Sequence, residues 1–220
     1  MVVSGDNIPL FLDPDIYQYK NLRSLTINNA NIVKIPDRFN ELQLEYLDLS
    51  HNKIGTLGYT ICEIKTLKEL NVSYNNIACL NDIFNNLKGL VHFDISHNKL
   101  KKIAEVRFLD FINLKSADFS NNCLEAIQST IFKLGSLEKV KFNNNQIRSI
   151  PKFNSVGEAL NFVDISCNFI TELPLAMKCS KKFNSSKLIS HTNPFHNENN
   201  LENSDNTSKN EELFSKRVSN

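Results

Sequence analysis

Seven asparagines, Asn52, Asn75, Asn98, Asn122, Asn145, Asn168 and Asn193, recur at gaps of 23, 23, 24, 23, 23 and 25 residues. A period of this length points away from an ordinary globular core. Each copy is one small unit that can bury its apolar side only against the next copy. Six of the asparagines sit in closely related phrases: LEYLDLSHNKI, LKELNVSYNNI, LVHFDISHNKL, LKSADFSNNCL, LEKVKFNNNQI and LNFVDISCNFI. Written L-x-x-L-x-L-x-x-N-x-L, the phrase holds its register six times, with Ala117 as the one departure at an apolar slot. An earlier copy from Leu22 to Ile32 has Ala30 in the asparagine slot, and a late copy ending KLISHTNPF has Ser190 in an apolar slot. Imperfect end copies are what terminal coils look like.

Within the phrase, apolar residues alternate as in a strand. Leu47 and Leu49, or Leu70 and Val72, point to one side, and Asp48 and Ser50, or Asn71 and Ser73, to the other. The second half of each copy has its own inner column, Ile35, Leu57, Leu80, Ile103, Ile127, Ile150 and Leu173. Four residues further on come Phe39, Ile61, Phe84, Ile131 and Met177, with Phe108 and Phe153 close to that column where the register slips. Pro36, Pro151 and Pro174 follow the inner column and favour irregular or short helical segments, because proline cannot donate to a ladder. The asparagine is expected to be structural, an amide that donates to and accepts from backbone groups left by the turn.

On these residues, from Leu22 to Phe195, the chain resembles the leucine-rich repeat superfamily, in particular its short intracellular class of 22 to 24 residues per repeat. The resemblance implies an α/β solenoid, a right-handed superhelix with a concave parallel β-sheet and a convex side of short helices and irregular turns. It also implies a role in binding other proteins. The expected organisation is an N-terminal capping segment over residues 1–21, a solenoid of about eight coils over 22–195, and a tail over 196–220. In the first segment Leu12, Ile16 and Tyr19 continue the convex spacing. The tail is polar, has no sustained apolar period and is expected to be disordered.

Charge and cysteine usage narrow the function classes. Twenty-five Lys and Arg against 24 Asp and Glu give a net +1, which implies no overall attraction to nucleic acid or an anionic membrane. Five cysteines, Cys62, Cys79, Cys123, Cys167 and Cys179, form no CxxC pair and fit a reducing compartment. The opening residues read as neither a secretory signal nor a transit peptide, and no apolar run approaches the roughly 20 residues of a bilayer span. The expected location is cytoplasmic, with the nucleus as the other compartment that fits, and no membrane insertion is expected.

Chemistry finds little support. The GxxxxGK[ST], GxGxxG, HExxH and GxSxG strings are absent, and the Ser, Asp and His of DLSHN and DISHN are supplied by the repeat itself. His92 and His97 are five strand steps apart, about 16 Å, and His51 and His97 sit two coils apart, about 9 to 10 Å. Neither pair can share a zinc ion with ordinary ligand distances. No catalytic residue, cofactor or metal is expected, and the chain is expected not to be an enzyme. Asn71, Asn184 and Asn206 begin N-x-S triplets, but the sequence favours no glycosylation; the tail string ELFSKRV has the look of a short docking motif, of a kind that exposed tails often hold by chance.

The outward slots of the phrase are taken as the second, third, fifth, seventh and eighth. Over Leu22 to Thr192 they hold six positive and seven negative charges, too balanced for a phosphate-tracking groove. What departs from plain Ser, Asp and Asn usage is Tyr46, His51, Glu69, Tyr74, His92 and His97, with Phe162 as an isolated apolar candidate. Rings bring large contact area at low side-chain entropy, so these seven residues are expected to bind a partner on the concave face. The expectation is a non-enzymatic adaptor or scaffold, a monomer on its own, binding a protein partner and no nucleic acid. The alternatives are a substrate receptor or regulatory subunit of a larger complex such as a ubiquitin ligase or phosphatase, and an enzyme with an unrecognised site.

Overall fold

A computed structural model describes residues 2–4, 14–103, 106–183 and 187–195. Leu12 and the tail 196–220 lie outside the described residues. Among the described residues one sheet holds nine short parallel strands in chain order: β1 (Val2–Ser4), β2 (Ser24–Asn28), β3 (Tyr46–Asp48), β4 (Glu69–Asn71), β5 (His92–Asp94), β6 (Ser116–Asp118), β7 (Lys139–Lys141), β8 (Phe162–Asp164) and β9 (Leu188–Ile189). Each strand pairs with the next at the same phrase position, so that Leu47 faces Leu70, Leu70 faces Phe93, and Phe93 faces Ala117. A parallel sheet in strict chain order, with a return segment after each strand, is a right-handed solenoid.

The return segments are short. They include 3-10 turns at Pro14–Gln18, Phe39–Glu41, Asp82–Asn86, Phe108–Asp110 and Ser129–Lys133, and single-turn helices α1 (Tyr59–Cys62) and α2 (Leu175–Lys178). Pro174 immediately precedes α2, where its missing N–H costs nothing, while the stretch after Pro151 stays irregular. Phe39, Ile61, Phe84, Ile131 and Met177 are buried from these segments. Ile16 and Tyr17 are buried at the leading end, whereas Tyr19 is exposed.

One continuous apolar core runs the length of the solenoid. Its middle is rich in phenylalanine because Ala117 leaves the strand column short of volume between Phe93 and Val140. Phe119 meets Phe93 edge-on at 5.8 Å and Phe108 edge-on at 6.1 Å, and stacks on Phe142 at 5.0 Å. Among the described glycines, Gly157 marks the tightest backbone approach. Its N–H donates to the Phe132 carbonyl at 2.7 Å, and a Cβ there would lie 2.0 Å from the Leu134 oxygen.

The asparagines form a buried hydrogen-bonded row. Asn98 Nδ2 donates to the carbonyls of Val72, Ile95 and Ser96 at 2.9 to 3.1 Å, and its Oδ1 accepts the Ile77 N–H at 2.8 Å. Asn52, Asn75, Asn122, Asn145 and Asn168 repeat the pattern, and Asn193 closes it by accepting the Ile170 N–H and donating to Ile165 and Ser190. In the first coil, where Ala30 replaces the amide, Asn52 Oδ1 accepts both the Ala30 and the Ile32 N–H.

Candidate concave site

Two outward residues on each strand face the concavity, at the third and fifth slots of the phrase. The seventh slot differs from expectation. Ser50, Ser73, Ser96, Ser120 and Ser166 are buried, at 4 to 6% exposure. The reason is local: the fifth-slot side chain accepts the N–H two residues on, as from Asp48 Oδ1 to Ser50 N at 2.8 Å and from Asp94 Oδ1 to Ser96 N at 2.9 Å. This turn pulls the chain inward as the strand ends. Asn71, Asp118 and Asp164 make the same bond. In one coil Lys141 replaces the acid and Asn143 the serine, and Asn143 Oδ1 is buried without a hydrogen-bond partner.

The eighth slot also departs from a flat sheet face. His51, Tyr74 and His97 have φ of 55°, 54° and 54°, a left-handed conformation shared by Asn121, Asn144, Cys167 and Thr192 in the same slot. Asparagine tolerates this conformation well and tyrosine poorly. The three rings therefore leave the strands at the rim beyond the ends of β3, β4 and β5. There they stack, with the Tyr74 ring 4.2 Å from His51 and 3.9 Å from His97, at 9° to each. His97 Nε2 lies 3.2 Å from Asn121 Nδ2, which makes the ring nitrogen the acceptor. The tyrosine ring fills the space between the two imidazoles, so no ion can bridge them. Among the described residues no group of three His, Cys, Asp or Glu could hold a metal ion.

The seven residues singled out in the sequence thus divide. Tyr46, Glu69 and His92 stand side by side in one row across β3, β4 and β5. His51, Tyr74 and His97 form the rim stack. Phe162 belongs to neither group: it stands three strand spacings from His92, about 14 Å, and the Lys139 ammonium sits 4.9 Å from its ring.

Beside that row lies a depression of about 330 Å³, lined by Tyr46, Glu69, His92, Asp94, Asp118 and Lys141 among others. His92 Nδ1 and Ser116 Oγ are 2.7 Å apart. Partial burial, with the nearby Asp48 and Glu69 carboxylates, pushes the Tyr46 hydroxyl above the ordinary phenol range. Lys141 Nζ donates to Asp118 Oδ2 at 2.7 Å, and that hydrogen bond raises the ammonium's pKa, with further support from Asp94 and Asp164. One slot to the side, exposed charges alternate: Glu45 reaches Arg23 at 3.9 Å and Lys68 at 2.6 Å, and Lys115 meets Glu138 at 3.4 Å. This ladder neutralises itself and adds little stability. Sequence reasoning missed Asp94, Asp118 and Lys141 as members of the site. The signal was present as an acid two residues before a serine, replaced by an amide at Asn71 and broken at Lys141.

A leucine-rich repeat family model matches residues 20–77. The leucine-rich repeat-containing G-protein coupled receptor 5 of Rattus norvegicus is 28% identical over an alignment of 190 residues that covers 79% of this chain and 21% of the receptor. Residues 20–77 are thus leucine-rich repeats, and the described solenoid has the fold of leucine-rich repeat domains. Leucine-rich repeat domains are protein interaction modules, and the repeat protein shares that scaffold. An internalin from Listeria monocytogenes superposes with a TM-score of 0.65 at 21% identity, over 82% of this chain and 58% of the internalin. The leucine-rich repeat ectodomain of the plant membrane receptor kinase GASSHO1/SCHENGEN3 from Arabidopsis thaliana, in complex with CASPARIAN STRIP INTEGRITY FACTOR 2, superposes with a TM-score of 0.66 at 21% identity. The match covers 87% of this chain and 24% of the ectodomain. The repeat protein thus spans about a fifth of its curated relative. No helix among the described residues is long and apolar enough to cross a membrane.

Proposed function

We propose that the repeat protein is a non-enzymatic adaptor or scaffold that captures a partner protein on its concave face, through Tyr46, Glu69 and His92 with the rim stack of His51, Tyr74 and His97. One observation carries the reading: the row across β3 to β5 and the depression beside it combine rings and charges on a sheet face that no element of the described chain covers. Phe162 extends the same face as a separate contact. The face of eight coils at about 4.8 Å spans roughly 34 Å, enough for the roughly 800 Å² per partner of a standard interface.

The same proposal assigns the chain to the short, cytoplasmic class of repeat proteins, acting as a monomer with residues 1–21 as cap, 22–195 as solenoid and 196–220 as tail. Five free cysteines and the 23-residue spacing support it, as do the buried Ile16 and Tyr17 and the pairing of β1 with β2. The test compares a Tyr46→Ala, Tyr74→Ala, His92→Ala variant with a convex control, Leu109→Ala, Ile112→Ala, both checked for folding by circular dichroism. In quantitative affinity purification the concave variant loses partners that the control keeps. The opposite pattern would overturn the proposal.

A further inference from the structure

The concave depression is distinguished by the sign of its charge as well as by its rings. In the two outward columns, β3 to β6 present Asp48, Glu69, Asp94 and Asp118, and no lysine or arginine. The first cations in these columns, Lys139 and Lys141, come on β7 and wall off the depression. Lys141 is paired with Asp118, and its charge also reaches Asp94 without an ion pair. Glu69 and Asp94 have no ion-pair partner among the described residues, although lysines are plentiful elsewhere on the surface. Asp48 and Asp94 are also held in place, because one oxygen of each is tied to the turn at the strand's end. Their charges are fixed before any partner arrives, so little side-chain entropy is lost on binding.

We infer that this depression receives a cationic segment of the partner protein, with lysine or arginine side chains entering between Tyr46 and His92 toward Glu69 and Asp94. The inference rests on the concave-face reading and adds the chemistry of what binds there. Tyr46 brings an aromatic ring to the wall of the depression, where a ring can attract a cation while the carboxylates supply the charge. Spacing adds a second constraint. Asp48 and Asp94 stand two strands apart, about 10 Å, which is three residues of an extended chain. A segment crossing the strands with a basic residue at every third position meets both. Lys139 and Lys141 then repel a further cation at the β7 side, which sets the register.

Two fluorescein-labelled 13-residue peptides test this against the full chain by fluorescence anisotropy at low salt. One carries lysine at every third position between serine and alanine, and the other carries glutamate at those positions. The lysine peptide binds at least about tenfold tighter than the glutamate peptide, and a Glu69→Gln, Asp94→Asn variant weakens it about five- to tenfold. A Lys139→Gln variant binds the lysine peptide as well as wild type or better. Three results would overturn the inference: no binding of the lysine peptide, equal binding of the two peptides, or lysine binding unchanged in the Glu69, Asp94 variant. Failure here with concave-dependent partner capture intact removes the cationic partner only. Loss of that capture removes the concave reading itself.

Discussion

Replacing Asn98 by alanine tests the physical basis of the whole solenoid, and its cost can be worked out bond by bond. The side chain is 8% exposed and makes four hydrogen bonds. Three of its backbone partners keep a second bond after the change: Val72 O still accepts from Asn75, Ile95 O from Asn122, and Ser96 O from the Tyr74 N–H. Only the Ile77 N–H, which donates to Asn98 Oδ1, is left with none in the core. The orphaned donor costs about 1 to 3 kcal/mol, and loss of the shared bonds brings the total to about 2 to 4 kcal/mol. Asn98→Asp should cost more at neutral pH, because its second oxygen faces three carbonyl oxygens instead of donating to them. A carboxyl in that position has a raised pKa in the folded state. The variant's deficit therefore grows as pH rises above about 4, the unfolded carboxyl's value, and shrinks in acid. Urea unfolding measures both variants, and amide hydrogen exchange at Ile77 reports the orphaned donor directly. An unchanged midpoint for Asn98→Ala, or an Asn98→Asp variant no worse than alanine at pH 7, would refute the reasoning.

Other consequences are local. Gly157→Ala forces a Cβ onto the Leu134 carbonyl and should lower stability by about 1 to 3 kcal/mol in urea unfolding, while Gly135→Ala, with open space around it, should change stability little. Burial pushes the Cys62 thiol up to about 12, so it should resist iodoacetamide at pH 8 in the native protein while the exposed Cys79 and Cys179 react. Equal labelling of Cys62 would contradict its burial. Asp118→Asn keeps the acceptor for the Ser120 N–H but removes the partner of Lys141, at a cost of about 0.5 to 1 kcal/mol. Lysine's folded pKa is raised, so from neutral pH upward this contribution is full until about pH 10.4, lysine's unfolded value, and is lost as pH rises through the folded value. The gap between wild type and variant should therefore hold from neutral pH to about pH 10 and close in strong alkali. Tyr74→Ala should cost about 0.5 to 1.5 kcal/mol of stacking with its two histidines, offset in part by relief of a left-handed tyrosine, as a double-mutant cycle with His97→Ala would measure.

Much of the fold was legible in the sequence because the solenoid is nearly one-dimensional. A residue's neighbour in the next coil is the residue one period later, so Leu47 facing Leu70 and Leu70 facing Phe93 can be read by counting 23. The same counting placed the buried amides and both convex columns. Ala117 marked the one weak coil, and the phenylalanines that surround it are visible in the string once the columns are aligned.

Counting failed where backbone handedness decided direction. Apolar periodicity says which slots are inside, but a polar residue's side depends on the φ of the turn that follows the strand. The structure turned Ser50 and its equivalents inward and sent His51, Tyr74 and His97 to the rim as one stack, apart from Tyr46, Glu69 and His92 on the sheet. Spacing by itself determined the coils, their order and the asparagine row, because identical coils can only stack in register. Tertiary structure alone decided which charges stand free over the concavity, because an ion pair such as Lys141 with Asp118 forms between side chains 23 residues apart whose reach no pattern of leucines encodes.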